Sequence, residues 1–412
     1  MIEFVYPTET STLYSNYNVL NTGADEILEV ASDFTPTNGP MISRSLLLFS
    51  NEDIISDYKT TNNYVLNLKV VQSIELESNT ELELYPVSES WENGKGRFAD
   101  KEVLYPGVSW LYKNKEKETW NTNTPTEYES GGGSWFDKYY DNELNVQNQL
   151  SYMFTFNKST SDVKIDITEL VKFWNMSAIV NNGIILKFKN DNTKRCGNVK
   201  FFSSNTNTIY QPYLEIGKYD YIFDPYVSTN NVKNTELRNE QLSAESLDTG
   251  SLDTGSLDTA SLETGSIYEE STEMLPISKK ETLADGIKEL DSTDLHIFVE
   301  NINETYSKTS LEKIKVGVRE SSPKKSFSNR MRYSGKNVTK EDIFFSVVDA
   351  ETEELVIDFS EFTKISCDNG GHFFKFNFKC LSRGRLYKFI LKLESNDIRK
   401  KYEDKRTFMI TN

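Results

Sequence analysis

A five-residue repeat just past the middle of the chain limits what the chain can fold into. The units SLDTG, SLDTG, SLDTA, SLETG and SIYEE run from Ser246 to Glu270, and residues 236–277 hold ten acidic and one basic residue. A pentapeptide β-helix needs about twenty residues for one turn and several stacked turns to close a core. A short acidic segment favours an extended linker instead. We interpret the repeat as a linker between two folded parts, while docking of its Leu and Ile positions on another subunit stays open.

The composition narrows the class of protein. The 412 residues are enough for two or three domains. No run approaches the roughly 18 apolar residues of a membrane helix, so no membrane insertion is expected. The net charge of −17 disfavours a nucleic-acid partner. The start MIEFVYPTET lacks the pattern of a secretory signal, and three scattered cysteines make no disulfide framework, which predicts reduced thiols and synthesis in a cytoplasm.

Residues 1–225 read as a series of short strands separated by Asn, Gly and Ser turns. Apolar and acidic residues alternate in 74–77 and 82–87, which is typical of strands with one buried face. Further strands are expected at 45–49, 64–70, 184–188, 200–202 and 213–216. This spacing predicts an antiparallel β-sandwich.

One helix is expected in this part, over residues 166–174. Apolar residues recur at i, i+3, i+4 and i+7 from Ile167 to Trp174, which is the period of a helix with one buried face. Asp166 is the expected N-cap, and Glu169 three residues later completes a capping box. A helix this short gains its stability by packing that face on a sheet.

Residues 280–412 also predict strands. A hairpin is expected from 343–348 and 355–359, and strict alternation marks 372–378 and 387–393. Further strands are expected at 295–299, 314–318 and 408–410. This number of strands is typical of an immunoglobulin-like sandwich. The sequence therefore predicts an all-β fold with two antiparallel β-sandwich domains, one over 1–225 and an Ig-like one over 280–412, joined by an acidic pentapeptide-repeat linker over 226–279.

A series of short motifs in the N-terminal part carries a family resemblance. In chain order the motifs are Arg44-Ser-Leu-Leu-Leu-Phe49, Leu82-x-Leu-Tyr-Pro-Val87, Trp91-Glu-Asn-Gly94, Gly107-Val-Ser-Trp110, Trp120, Gly131-Gly-Gly-Ser-Trp135, Asp166-Ile-Thr-x-Leu-Val171-x-x-Trp174, Asn182-Gly-Ile-Ile-Leu-Lys187 and Pro212-x-Leu-x-Ile216. Their order and spacing resemble the DNRLRE-type β-sandwich, a jelly-roll-like module related to carbohydrate-binding modules, over most of residues 1–217. The resemblance implies a binding or structural module without catalysis, although the secreted members have a signal peptide that is not seen here.

The C-terminal part carries a second resemblance. Its motifs are Phe345-Ser-Val-Val-Asp-Ala-Glu-Thr-Glu-Glu354, Gly371-His-Phe-Phe-Lys375 and Arg385-x-Tyr-Lys388, followed by the terminal strand at Thr407-Phe408. They are similar to C-terminal segments of virion structural proteins of tailed bacteriophages, over about half of this part. The resemblance implies assembly into a particle.

Four tryptophans are the candidate contact residues. Trp91, Trp110, Trp120 and Trp135 lie in the Gly- and Asn-rich region 86–146, which is long for a loop. An exposed indole can stack on a sugar ring, and Trp is also favoured at protein interfaces. The alternative interpretation is that Trp110 and Trp135 are buried anchors at the end of the sandwich.

The sequence shows no motif that indicates catalysis. The two histidines, His296 and His372, lie on separate predicted strands, and no P-loop, dinucleotide, zinc or redox motif occurs. No metal or cofactor is therefore predicted.

These patterns together favour one functional hypothesis. The chain is predicted to be a non-enzymatic structural component of a tailed bacteriophage virion, in the neck, tail, baseplate or capsid surface, present in several copies that contact other virion structural proteins. The alternative is a carbohydrate-binding adhesin that contacts a host surface glycan through the tryptophan-rich region. A hydrolytic appendage is the third and weakest hypothesis.

Overall fold

The structure is a computed structural model that describes residues 1–35, 39–77, 79–121, 131–141, 146–156, 162–224, 295–321, 338–368, 370–395 and 398–412. Strands dominate these residues, and nearly all strand pairs are antiparallel. The predicted all-β class is confirmed. The linker predicted over 226–279, including the repeat, lies outside the described residues. Within the described part, no helix has the length and apolar character needed to cross a membrane.

The N-terminal part contains fourteen described strands and two described helices. They are β1 (Ile2–Val5), β2 (Glu9–Tyr14), β3 (Ile27–Thr35), β4 (Gly39–Leu48), α1 (Asn51–Ile55), β5 (Asn63–Leu68), β6 (Val70–Ile74), β7 (Thr80–Pro86), β8 (Lys138–Asp141), β9 (Val146–Gln149), β10 (Tyr152–Phe156), β11 (Val163–Asp166), α2 (Thr168–Asn175), β12 (Ile184–Phe188), β13 (Gly197–Phe202) and β14 (Tyr213–Gly217). One sheet has the order β1-β14-β5-β11. The other has the order β10-β7-β12-β4-β3-β13-β6, with β2 added against β4.

Strand alternation explains how these two sheets enclose the first core. Leu66 on β5 and Leu214 on β14 are paired and point inward, towards Leu84 on β7 and Leu186 on β12. The intervening residues on β14, Tyr213 and Glu215 among them, therefore point away from this core. Their side chains face the C-terminal part of the molecule.

Helix α2 forms where it was predicted but begins differently. Asp166 is the last residue of β11 and pairs with Val65, so it cannot be the N-cap. Its Oδ1 accepts a hydrogen bond of 2.9 Å from the backbone N–H of Thr168, and the capping box with Glu169 is not formed. Thr168 Oγ1 accepts a further bond from the backbone N–H of Tyr64 on β5. The predicted apolar face is buried on the core.

The strand predicted at 74–77 is not formed. Strand β6 ends at Ile74, and Glu75 has a φ of 53°, which breaks the extended conformation. The Glu75 carboxylate instead pairs with the guanidinium of Arg195, which also binds Asp33. The acidic residues that suggested a polar strand face thus belong to a surface ion-pair cluster.

The C-terminal part is a second sandwich. Its strands are β15 (Leu295–Val299), β16 (Thr305–Ser307), β17 (Leu311–Glu320), β18 (Ile343–Asp349), β19 (Leu355–Ile357), β20 (Ser366–Asp368), β21 (Gly371–Asn377), β22 (Leu386–Ser395), β23 (Ile398–Glu403) and β24 (Phe408–Thr411). One sheet has the order β15-β17-β21-β20, and the other has the order β16-β24-β22-β18-β19 with β23 on β22. The predicted hairpin is confirmed as β18 and β19. Aromatic residues fill the space between the sheets, with the rings of Phe345 and Phe374 stacked at 4.1 Å.

The two sandwiches contact each other through β1. This strand pairs with β14 of the N-terminal sheet, yet Ile2 and Phe4 are buried in the C-terminal core. Around them, Asn377 donates a hydrogen bond of 3.0 Å to Glu3, and Lys69 lies 2.7 Å from Glu354. The interface therefore combines a shared apolar core with ion pairs at its edge.

The chain reaches the C-terminal sandwich before the predicted linker begins. Phe223 forms a parallel bridge with Cys367 on β20, and the backbone N–H of Asp224 donates to the carbonyl of Cys367. After residues 225–294 the chain continues at Leu295 in β15, on the opposite edge of the same sheet. In chain order, residues 225–294 therefore lie between two edge strands of one sheet, and the described contacts between the sandwiches come from β1 and from pairs such as Lys69 and Glu354.

Candidate functional site

The chain between β7 and β8 packs on the outer face of the eight-stranded sheet. A small second core forms there from residues that alternate out of β2, β4 and β12 and from residues of the segment itself. Its members are Leu13, Ile42, Leu46, Val87, Trp91, Val108, Trp110, Trp120 and Ile185. This arrangement holds residues 87–121 and 131–137 against the sandwich, so the described part of the segment is a folded layer on the sheet.

The four predicted contact tryptophans are brought together in or beside this core. Trp91, Trp110 and Trp120 are 7%, 3% and 5% exposed, and Trp135 is half-buried against them. The indole N–H groups of Trp91 and Trp120 donate to backbone carbonyls at 2.8 and 3.0 Å. Rings in this position anchor the segment. The buried ring faces are not accessible to a partner. A partner would therefore contact the residues that the rings hold in place.

An arginine joins two of these rings to the sheet. The guanidinium of Arg44 on β4 is 2% exposed and lies 5.0 Å from the Trp110 ring and 5.2 Å from the Trp135 ring. Its Nε and Nη2 donate to the two carboxylate oxygens of Asp191 at 2.8 and 3.1 Å. Its Nη1 donates to the carbonyl of Gly132 at 3.0 Å. This one side chain therefore connects the segment, the sheet and the loop after β12.

A second cation completes the buried network. Lys187 Nζ lies 3.5 Å from both Glu83 and Asp191. Burial alone would raise the pKa of Asp191, but the charges of Arg44 and Lys187 outweigh it and hold that pKa below its ordinary value. Two cations thus balance two carboxylates. The cluster is closed by packing, and its evident role is to fix the segment in place.

A buried asparagine holds both ends of a loop within this segment. Asn21 is fully buried, its Oδ1 accepts a bond of 2.9 Å from the N–H of Gly96, and its Nδ2 donates at 2.7 Å to the carbonyl of Val108. Gly94 lies so close that a Cβ there would be 2.0 Å from the Asn21 amide oxygen. One side chain therefore clamps the chain on both sides of residues 98–105.

We call residues 98–105 the apolar tip, because it exposes several large apolar side chains. Val103 and Leu104 are 52% and 63% exposed, and Phe98 and Tyr105 are 36% and 38% exposed. The Phe98 ring rests on Tyr14 at 4.9 Å, so the tip is attached to the sandwich on one side. The sequence prediction missed both the tip and its clamp. The sequence does contain an indication of the tip, because four large apolar residues lie between Gly96 and Gly107 in a region with no strand pattern.

The two histidines lie on one sheet of the C-terminal sandwich. His296 on β15 stacks on Phe298 at 5.3 Å. His372 on β21 is buried, and its Nε2 accepts a bond of 3.1 Å from the backbone N–H of Lys340. Burial lowers the pKa of His372, which favours the neutral ring. Among the described residues, no cluster of three or more His, Cys, Asp or Glu side chains could hold a metal ion.

Comparisons with known proteins add little to this geometry. No protein-family model matches the chain, and no curated protein matches it. Among solved structures, the chain is similar to the crystal structure of a beta-glucuronidase from Parabacteroides merdae, with 10% sequence identity and a TM-score of 0.17. That match covers 97% of this chain and 36% of the glucuronidase, so the chain spans about a third of its length. A likeness at this TM-score carries no argument about fold or function.

Proposed function

We propose that the chain is a non-enzymatic structural subunit of a tailed bacteriophage particle that works through protein–protein contacts. Its place in the neck, tail, baseplate or capsid surface is left open by this proposal. The particle setting rests on the sequence resemblances in residues 1–217 and in the C-terminal part. The docking role rests on the apolar tip.

The apolar tip supports a contact with another protein. Exposed large apolar side chains that cluster in one loop are a typical feature of interaction sites. A loop clamped by Asn21 and anchored by buried indoles loses little conformational freedom on binding, and such preorganisation strengthens an interface. Leu104 is the most exposed of the large apolar residues of the tip and the natural centre of such a contact.

The adhesin alternative has weaker support at the tryptophans. Stacking on a sugar requires an accessible ring face, and the rings of Trp91, Trp110 and Trp120 are buried. A glycan contact at this place would have to use the half-buried Trp135 or the tip. We therefore propose a protein as the partner of this surface.

The proposal is tested by particle incorporation. A phage that lacks its own copy of this gene is complemented with the wild-type chain or with Leu104→Glu, and the chain is quantified in gradient-purified particles. We expect Leu104→Glu to reduce the amount of bound chain at least tenfold, because a carboxylate would be buried in an apolar contact. Val180→Glu is the matched control, since Val180 is 69% exposed and lies outside the tip, between α2 and β12.

Three outcomes would count against the proposal. The chain could be absent from wild-type particles, or Leu104→Glu could be incorporated as well as the control. If Leu104→Glu were incorporated normally but the particles could no longer adsorb to host glycan, the result would favour the adhesin alternative.

A further inference from the structure

A cleft of about 200 Å³ lies where the two sandwiches meet. Its floor is the face of β14 and β5 that points away from the N-terminal core, with Tyr213, Glu215 and Asn67. Tyr6 continues this floor beyond β1. The opposite wall comes from the C-terminal sandwich, where the residues after the β18–β19 turn include Asp358. The cleft is therefore a product of the contact between the sandwiches and is absent from either one alone.

Glu215 is a carboxylate with no ion-pair partner among the described residues. It is half-buried, and its hydrogen bond is a long one of 3.5 Å from Asn67. None of the described cationic side chains lies within ion-pair distance of it. Burial raises the pKa of Glu215, the nearby Asp358 adds to this effect, and the exposed Lys164 offsets part of it. A cation entering the cleft would meet a carboxylate that has already lost much of its water.

Two phenol rings stand beside this carboxylate. The rings of Tyr6 and Tyr213 are 6.4 Å apart and tilted by 57°. Burial raises the pKa of both phenols, so both stay neutral. Neither phenol oxygen has a hydrogen-bond partner in the described part of the chain, and each can accept one from an ammonium or guanidinium group. Tyrosine ring faces also attract cations.

Several other charges of the cleft are already paired. Lys69 lies 3.1 Å from Asp162 and 2.7 Å from Glu354, and Asp349 is paired with Arg385 at 2.7 Å. These pairs close one end of the cleft. Three charges of the lining have no ion-pair partner among the described residues, namely Glu215, Asp358 and Lys164, so two of the three are acidic.

We propose that this cleft binds the cationic end of a lysine or arginine side chain that a partner subunit supplies. The volume suits one extended side chain, the phenol rings contact its methylene groups, and Glu215 neutralises its charge. The cleft itself supports the binding of a cationic side chain. Only the source of that side chain, a partner subunit, rests on the proposed structural function.

The cleft is tested on the full chain without any particle. The probes are N-acetyl-arginine methylamide, N-acetyl-lysine methylamide, spermidine and the neutral N-acetyl-glutamine methylamide. Binding is followed in NMR spectra of protein carrying ¹³C-labelled tyrosine rings, with the signals assigned from Tyr6→Phe and Tyr213→Phe. We expect saturable shifts of both ring signals with the arginine and lysine probes and no such shift with the neutral one.

Charge variants identify the carboxylate. We expect Glu215→Gln to weaken binding of the arginine probe about tenfold, as the loss of a charge-assisted contact does. Glu116→Gln, an exposed residue outside the cleft, is the matched control and should leave binding unchanged. Asp358→Asn, on the exposed wall, should weaken binding of the arginine probe roughly threefold. It replaces Glu215→Gln in the test if that variant does not fold.

The proposal is overturned if the cationic probes cause no shifts, or if Glu215→Gln and Asp358→Asn both bind as well as the wild type. Tighter binding of spermidine than of both side-chain probes would overturn the partner side chain as the source. Because these measurements involve no particle, their failure would leave the Leu104→Glu test of the proposed function intact.

Discussion

Replacing Asp191 by asparagine is expected to destabilise the N-terminal sandwich by about 3–5 kcal/mol, because it removes the carboxylate that accepts two hydrogen bonds from the buried guanidinium of Arg44. Both side chains are 2% exposed, so water cannot replace the lost carboxylate. Lys187 also loses a carboxylate at 3.5 Å and keeps only Glu83 at the same distance. The upper part of the range is therefore expected.

A double variant separates the charge from the packing. In Arg44→Met with Asp191→Asn, an apolar chain of similar length lies between the rings of Trp110 and Trp135, and no buried charge is left unpaired at this position. Replacing a buried ion pair by apolar residues is often close to neutral. We expect the double variant to recover at least half of the stability that Asp191→Asn loses.

The assay is urea unfolding followed by tryptophan fluorescence. All five tryptophans lie between Trp91 and Trp174, so their emission reports on the N-terminal sandwich alone. Two of them contact Arg44 directly, and the midpoint and slope of their transition give the free energy of unfolding. The exposed variant Glu116→Gln provides the baseline and should change stability by less than about 0.5 kcal/mol.

The pH dependence gives an independent check. The folded pKa of Asp191 is lowered, so its contribution to stability is fully present above its ordinary pKa of 3.8 and is lost as the pH falls through the folded value. Asp191→Asn should flatten the acid limb of the stability curve. A loss below about 1 kcal/mol for Asp191→Asn, or a double variant as unstable as the single one, would refute the argument that breaking the buried ion pair sets the magnitude.

Three further outcomes are expected from the structure. After cleavage at a protease site placed within residues 225–294, the two halves should still elute together in size-exclusion chromatography. Phe4→Ala in the cut chain should release them, because it removes about 3–5 kcal/mol of buried contact. Separation of the cut wild-type halves would contradict this. Gly132→Ala should lower stability by about 2 kcal/mol or more in the same urea assay, since its φ is +83° and a Cβ would lie 2.7 Å from Arg44; an unchanged midpoint would show that the loop adapts. Cys380 should resist iodoacetamide in the native chain and react in urea, because burial raises the pKa of its thiol; mass spectrometry of the labelled peptide decides.

The strands were predictable from local patterns of apolar residues. The alternation in 372–378 and the hairpin pattern at 343–359 both correspond to strands that form, and β18 and β21 are buried on both faces over part of their length. Alternation does not locate the end of a strand when the polar side chains beyond it form ion pairs. Glu75 lies just after the end of β6 and pairs with Arg195. It also missed that Asp166 belongs to a strand, because a capping box and a strand end use the same residue types.

The site depends on contacts that span the whole chain, and these leave little trace in local sequence. Asn21 binds Gly96 and Val108 from 75 and 87 residues away. Arg44 meets Asp191 at a separation of 147 residues. A single Asn or Arg has no local pattern that distinguishes a clamp from a surface residue, so only the fold identifies these partners. The tryptophans drew attention because of their residue type, and that type alone does not separate an anchor from a contact surface.

The contact through β1 changes how the parts of the chain can work together. If the linker alone joined the sandwiches, each could reach its own partner independently. Because Ile2 and Phe4 are buried in the C-terminal core, the apolar tip and the cleft are instead carried on connected bodies. A partner that binds the tip and one that fills the cleft would then be held at a set distance, which is the property a structural subunit needs.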